Sequence, residues 1–222
     1  MLREISARIR ANFEEKDKVR EEGLKISRDV VRKCRVATFA LHAQNFEKAA
    51  TSLKEAKNAL LKLEILFEAH ADIYHAGFVD HAQQEFAEAS VFYFLLLEDA
   101  QPRGKSAFDT FPGPEALGVG PAAYLNGLGD LVGELRRHIL DLIRAEEFEK
   151  AEVFLELMEN IHELLLDFDY PDAITHGLRR KTDVARGLVE KSRGDLTNAF
   201  QQRKLEIAMQ AFEAKLKGRK LA

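Results

Sequence analysis

All five prolines of this 222-residue chain lie at 102, 112, 114, 121 and 171, so the first 101 residues lack the residue that most strongly breaks a helix. Apolar residues in that stretch recur at three- and four-residue steps: Ile5, Ile9 and Phe13; then Ile26, Val30, Cys34, Ala37 and Leu41; then Ala49, Leu53, Ala56, Leu60, Leu63 and Phe67. Each set lines one face of a helix, and no window alternates at period two long enough to suggest a strand. Pro102, Gly104, Pro112, Gly113, Pro114, Gly118 and Gly120 gather in one long loop over about 100–120. Helix resumes near Pro121, which suits a first helical turn, and runs to about Ala145. Another helix is expected from Glu147 to Phe168 and a last long one from Asp172, with Arg193-Gly194-Asp195 as a candidate interruption. The expected fold is all-α: a single domain over 1–222, an antiparallel bundle of six or seven helices.

A hydrophobic content of 46% is enough to bury a real core, which excludes a disordered chain. One cysteine, Cys34, excludes an internal disulfide framework and fits a reducing cytoplasm, the expected location. The N-terminus MLREISARIRANFEEKDK has no uninterrupted apolar segment of the kind a secretory signal needs. The longest uncharged apolar run, Ala89 to Leu97, is too short to span a bilayer, so no membrane partner is expected.

The formal net charge of −4 hides a division. Residues 1–36 hold 11 basic and 7 acidic side chains, residues 37–178 hold 10 and 25, and residues 179–222 hold 12 and 5. A basic surface is the usual electrostatic footprint of a nucleic-acid partner, and here the basic excess is confined to the two ends.

The acidic middle contains two unusual segments. From Phe86 to Leu97 the chain is apolar on all sides except at Glu88, Ser90 and Tyr93, which marks a helix enclosed by other helices or by a partner subunit. His81, Glu85 and Glu88 fall on one stripe of it. Between Ala116 and Leu135 the only charged residues are Asp130 and Glu134, one turn apart, among Gly127, Gly129 and Gly133. Glycine in a helix interior costs roughly 1 kcal/mol against alanine, so these three need a packing or access reason. Buried carboxylates need compensation. Either both pairs sit on a solvated stripe or pair with arginines such as Arg136 and Arg137, or the helices face each other and present Glu85, Glu88, Asp130 and Glu134 as oxygen ligands to Mg²⁺ or Mn²⁺.

Three other features are weaker. Glu159-Asn-Ile-His162 has the Glu-x-x-His spacing of di-iron bundles, but those need a second copy, which is missing. Asn45-Phe-Glu-Lys-Ala49 and Glu147-Phe-Glu-Lys-Ala151 echo each other without an intermediate repeat, as two similar helical hairpins would. A lone histidine is ordinarily a surface or satisfied core residue; His81 differs because Glu85 and Glu88 share its stripe, where it could orient a phosphate or a water, or act as acid or base.

Two motifs resemble the translin/Trax family, and more closely the Trax branch. Gln84-Glu85-Phe-Ala-Glu88-Ala is similar to the Trax pattern Gln-Glu-aromatic-x-Glu-Ala, and Tyr124-Leu-Asn-Gly-Leu-Gly-Asp130-Leu-Val-Gly-Glu134-Leu resembles Tyr-Leu-x-Gly-x-x-Asp-Leu-x-Gly-Glu-Leu. Lys25-Ile-Ser-Arg28-Asp29, Leu41-His42 and the stretch from Leu178 to Gly194 are similar to further family segments, so the resemblance covers nearly the whole chain. It implies a translin-like fold of about seven helices, assembled into a hollow homo-octameric shell that encloses single-stranded RNA, or alternatively single-stranded DNA. It also implies Mg²⁺-dependent endoribonuclease chemistry, with Glu85, Glu88 and Asp130 as metal-binding catalytic residues and Glu134 in support. The loop of about twenty residues before Pro121 is shorter than the insertion of eukaryotic Trax, which suggests a prokaryotic-type single-chain homologue.

The candidate RNA-binding residues are Arg20, Lys25 and Arg28 near one side of an early helix, His75, Arg137, and Arg179, Arg186 and Arg193 at seven-residue intervals. Such rows can track a phosphate backbone, or form solvated salt-bridged faces with partners such as Glu21, Glu22, Asp183 and Glu190. Two readings compete with the nuclease: a non-catalytic RNA- or single-stranded-DNA-binding oligomer of translin type, and a helical scaffold for protein partners.

Overall fold

The computed structural model describes residues 1–74, 77–100 and 112–219, with residues 218 and 219 described for their backbone alone. His75 and the first half of the long loop, including Pro102 and Gly104, lie outside the described residues. Among the described residues there is no strand, and six long helices form the body: α1 (Leu2–His42), α2 (Phe46–Phe67), α4 (Phe78–Ala100), α6 (Pro121–Arg144), α7 (Phe148–Leu166) and α9 (Leu178–Arg219). Single turns α3 (Ala71–Tyr74), α5 (Pro114–Leu117) and α8 (Asp172–Thr175) sit between them.

Two expected boundaries are absent. The stripes around Ile5 and Ile26 belong to one helix, because the only glycine between them, Gly23, is a packing position: a Cβ there would lie 2.1 Å from Phe67 Cζ. The Arg193-Gly194-Asp195 triplet does not interrupt α9, because Ser192 and Leu196 on either side are buried and Arg136 of α6 holds that turn through Ser192 Oγ at 3.1 Å and Asp195 Oδ2 at 2.7 Å.

The echoed sequences are two helical hairpins with the same turn. Gln44 and Glu146 take φ values of 55° and 61°, and in each turn the next amide reaches back to a helix carbonyl, Asn45 N to Ala40 O at 2.8 Å and Glu147 N to Leu142 O at 2.9 Å. That left-handed stop reverses the chain within three residues, so α1 packs against α2 and α6 against α7. Helix α4 then packs on α1 and α2, helix α9 on α6 and α7, and α4 meets α6 where the two groups of helices join. One continuous core runs through all six, from Val30 and Leu63 through Phe92 and Leu135 to Met158 and Leu196.

The Ala89–Leu97 run is enclosed by this chain's own helices, with Val91 and Phe92 fully buried, so it needs no partner subunit to cover it. The unpartnered apolar stripes are elsewhere, on the ends of the two longest helices: Ile5, Ile9 and Phe13 on α1, and Leu205, Met209, Phe212 and Leu216 on α9.

Gly127 explains the α4–α6 contact. A Cβ on it would lie 2.8 Å from the Gln84 carbonyl oxygen, 3.0 Å from Ala87 Cβ and 3.1 Å from the Glu88 amide nitrogen, so only glycine lets the backbones approach this closely. Gly129 is tight against Lys181 Cβ at 3.0 Å, whereas Gly133 meets nothing within 4 Å. Gly127→Ala is therefore expected to destabilise the protein by about 1–3 kcal/mol through backbone displacement, and Gly133→Ala to stabilise it by about 0.5–1 kcal/mol, in urea titrations.

Candidate functional site: a carboxylate cavity between two helices

The stripe logic of α4 and α6, together with the close approach at Gly127, brings four acidic side chains onto one cavity. Glu85 and Glu88 from α4, and Asp130 and Glu134 from α6, line a recess of about 400 Å³ with Arg35, Thr38 and Phe39 of α1 and Arg137 of α6. Arg137 was expected near this stripe; Arg35 was not singled out by any spacing rule.

Each carboxylate has a different environment. Asp130 Oδ2 accepts from Lys181 Nζ at 2.5 Å and from Gln84 Nε2 at 2.6 Å. Glu134 Oε2 lies 2.5 Å from Nε2 of His42, whose ring is almost buried and packs on Phe92 with centroids 5.1 Å apart. Glu85 Oε1 is 3.7 Å from His81 Nε2, a long contact on an exposed imidazole. Glu88 has no hydrogen bond or ion pair with the described residues. Burial first, then repulsion from Asp130, Glu85 and Glu134, pushes its carboxyl from the ordinary 4.5 up to about 8, and Lys181 only partly offsets them. Cys34, beneath the cluster, is buried, and burial with the Glu85 and Glu88 charges pushes its thiol far above the range in which it could act as a nucleophile.

The groups that hold these carboxylates are therefore the Lys181 ammonium and the His42 imidazole, not Arg136, which is committed to Asp195. Lys181 lies beside the buried stripe of α9 formed by Leu178, Thr182, Ala185 and Val189, and the only sequence signal for it was Gly129, the glycine its side chain crosses. Asn126 fixes the geometry from below: its Nδ2 donates to Thr175 O at 2.7 Å, and its own carbonyl accepts from Lys181 Nζ at 3.3 Å.

The remaining candidates scatter. His81 borders an adjoining groove rather than the carboxylate cavity, and Arg28 lines that groove too. Arg20 pairs with Glu21 at 2.9 Å and Lys25 with Glu22 at 3.7 Å, both exposed. Arg179, Arg186 and Arg193 are exposed on α9 outside the cavity, and Arg193 is held by Glu159 at 2.7 Å, which also removes Glu159 as a metal ligand beside His162.

An all-oxygen donor set of four carboxyl groups fits a hard divalent cation. Among the described residues no three His, Cys, Asp or Glu side chains already stand in metal-ligating geometry, and Lys181 and His42 hold two of the carboxylates.

Glu88 also sets a pH dependence. The folded chain keeps a proton on Glu88 that the unfolded chain releases near pH 4.5, so folding takes up protons between about pH 4.5 and 8. Stability is expected to be fully present below that window and to fall, by on the order of a few kcal/mol, as pH rises through 8. Urea titrations in chelator at pH 5 and pH 8 should show the loss, and Glu88→Gln should flatten it; an equal slope in both proteins would contradict the assignment.

The comparisons with known proteins agree with this architecture. An uncharacterised protein of Methanocaldococcus jannaschii is 32% identical over 191 residues, covering 86% of this chain and 80% of that protein. The crystal structure of AfC3PO is similar with a TM-score of 0.75 and 34% identity, covering 89% of this chain and 97% of that one. The AfC3PO–duplex RNA complex is similar with a TM-score of 0.73, 33% identity and the same coverage. Apo-NeC3PO, at 19% identity and a TM-score of 0.74 over 87% of this chain and 96% of that one, shares the fold. Residues 18–193, from the middle of α1 into the first part of α9 and including all four cavity carboxylates, match the model of the Translin family, and the chain belongs to that family.

Proposed function

We propose that the protein is a Mg²⁺-dependent endoribonuclease of the Trax type that binds and cuts single-stranded RNA within a homo-oligomeric shell in the cytoplasm. The observation that carries this reading is the convergence of Glu85, Glu88, Asp130 and Glu134 on one cavity rimmed by Arg35 and Arg137. A protein that only held RNA would gain nothing from four carboxylates facing the phosphates. The relative AfC3PO has been captured with duplex RNA, which supports RNA as the partner class.

Glu85, Glu88 and Asp130, with Glu134 in support, would hold Mg²⁺, with Mn²⁺ as a substitute. When bound, the cation supplies positive charge against a phosphoryl oxygen and lowers the pKa of an attacking water. Arg35 and Arg137 bind the phosphodiester at the rim. His42 fixes the Glu134 carboxylate, and Lys181 with Gln84 fixes Asp130. The exposed apolar stripes of α1 and α9, continuous over several turns, support self-association into a shell of eight subunits.

One observation favours the non-catalytic reading, an RNA- or single-stranded-DNA-binding oligomer: Lys181 and His42 already occupy two of the four carboxylates. Incubation with labelled single-stranded RNA separates the two. Cleavage in Mg²⁺, absent in chelator and reduced at least 10²-fold in Glu88→Gln and Asp130→Asn with binding retained, is the expected outcome. Cleavage that persists in chelator and in both variants would overturn the site, and binding without cutting in every divalent metal would establish the second reading. Light scattering should give a mass several times the 25.1 kDa of one chain.

A further inference from the structure

Beside the carboxylate cavity, and sharing Arg35 and Phe39 with it, runs a larger groove of about 690 Å³ between α1 and the start of α4. Its size falls within the range of about 300–1,000 Å³ typical of pockets for small organic groups. Its composition is uneven in a useful way. The floor is apolar, with Val31, Val36 and Phe78, while Arg28, Arg32 and Arg35 stand along one edge at helical spacings of four and three residues. Arg32 is tied to Asp29, but Arg28 and Arg35 have no ion pair with the described residues. They are two turns apart, about 10 Å along the helix. At the end where groove and cavity meet stands Phe39, a residue 69% exposed. Nothing in the core requires a phenylalanine there.

An unpaired cationic row, an apolar trough and a free aromatic face are the three parts of a single-stranded nucleic-acid site: the guanidinium groups take successive phosphates and the rings take unstacked bases. A base-paired strand cannot use this trough, because its bases are stacked within the duplex.

We infer that the groove is a nucleotide subsite that holds the unpaired strand on one side of the cleaved bond, with Arg28 and Arg35 on its phosphates and a base stacked on Phe39. This rests on the nuclease reading for its neighbour but not for its own binding. Arg35, at the shared edge, then places the strand at the mouth of the cavity.

The test is equilibrium binding of a fluorescein-labelled single-stranded RNA to the full-length protein in chelator, where no cutting occurs. Phe39→Leu should weaken binding roughly tenfold and Phe39→Trp should restore it. Arg28→Gln/Arg35→Gln should lower the slope of log affinity against log salt by about 1.4, the value for two lost single-strand phosphate contacts. All three side chains are exposed, so the fold is retained, which circular dichroism checks. Wild-type affinity and salt slope in these variants would overturn the subsite while leaving the carboxylate centre standing. Loss of binding in them, in a protein that cuts no RNA in any metal, would leave the subsite standing and remove the nuclease reading. Equal binding of blunt duplex and single strand, both weakened by Phe39→Leu, would overturn the assignment to an unpaired strand.

Discussion

The contact between α4 and α6 at Gly127 is the constraint on which the rest of the site depends. Without a Cβ at that position the Gln84 and Glu88 backbone can lie directly against α6, and Glu85 and Glu88 then share a cavity with Asp130 and Glu134, one and two turns beyond Gly127. Four carboxylates placed so closely repel each other, and the fold absorbs this in three ways. Lys181 reaches in from α9 to Asp130, His42 from α1 to Glu134, and Glu88 keeps its proton to unusually high pH. Four of the six long helices thus contribute a group to one centre, which ties site geometry to the integrity of the bundle.

Much of this was legible in the sequence because it rests on local rules. The late prolines and three- and four-residue steps gave the helices, and charge within otherwise apolar helices marked Glu85, Glu88, Asp130 and Glu134. Of the three glycines near Asp130, two have the packing reason expected of them: Gly127 serves the helix contact and Gly129 makes room for Lys181, whereas a Cβ on Gly133 would meet nothing within 4 Å. What the sequence concealed depends on which helices become neighbours. Lys181 and His42 stand 51 and 92 residues from the carboxylates they hold, and no periodicity connects them. The merging of the first two elements into α1 was equally hidden, since it turns on Phe67 filling the space that Gly23 leaves.

The charge division has a structural meaning. The basic excess of the first 36 residues includes Arg28, Arg32 and Arg35, and these line the groove that opens onto the acidic cavity from α4 and α6. Cationic side chains that hold a polyanion therefore adjoin carboxylates that would repel it. A polyanion bound beside those carboxylates is repelled unless a cation stands between them. The arginines of α9, by contrast, lie away from the cavity or are spent on a surface pair, as Arg193 is on Glu159.

We propose the α4–α6 cluster as a divalent-cation centre. An electron paramagnetic resonance titration of Mn²⁺ into the protein at pH 8 reads this without reference to RNA or to cutting. Saturable Mn²⁺ binding that Mg²⁺ displaces, and that Glu88→Gln or Asp130→Asn abolishes, is the result expected. Free Mn²⁺ signal throughout the titration, or binding unaltered in both variants, would contradict it.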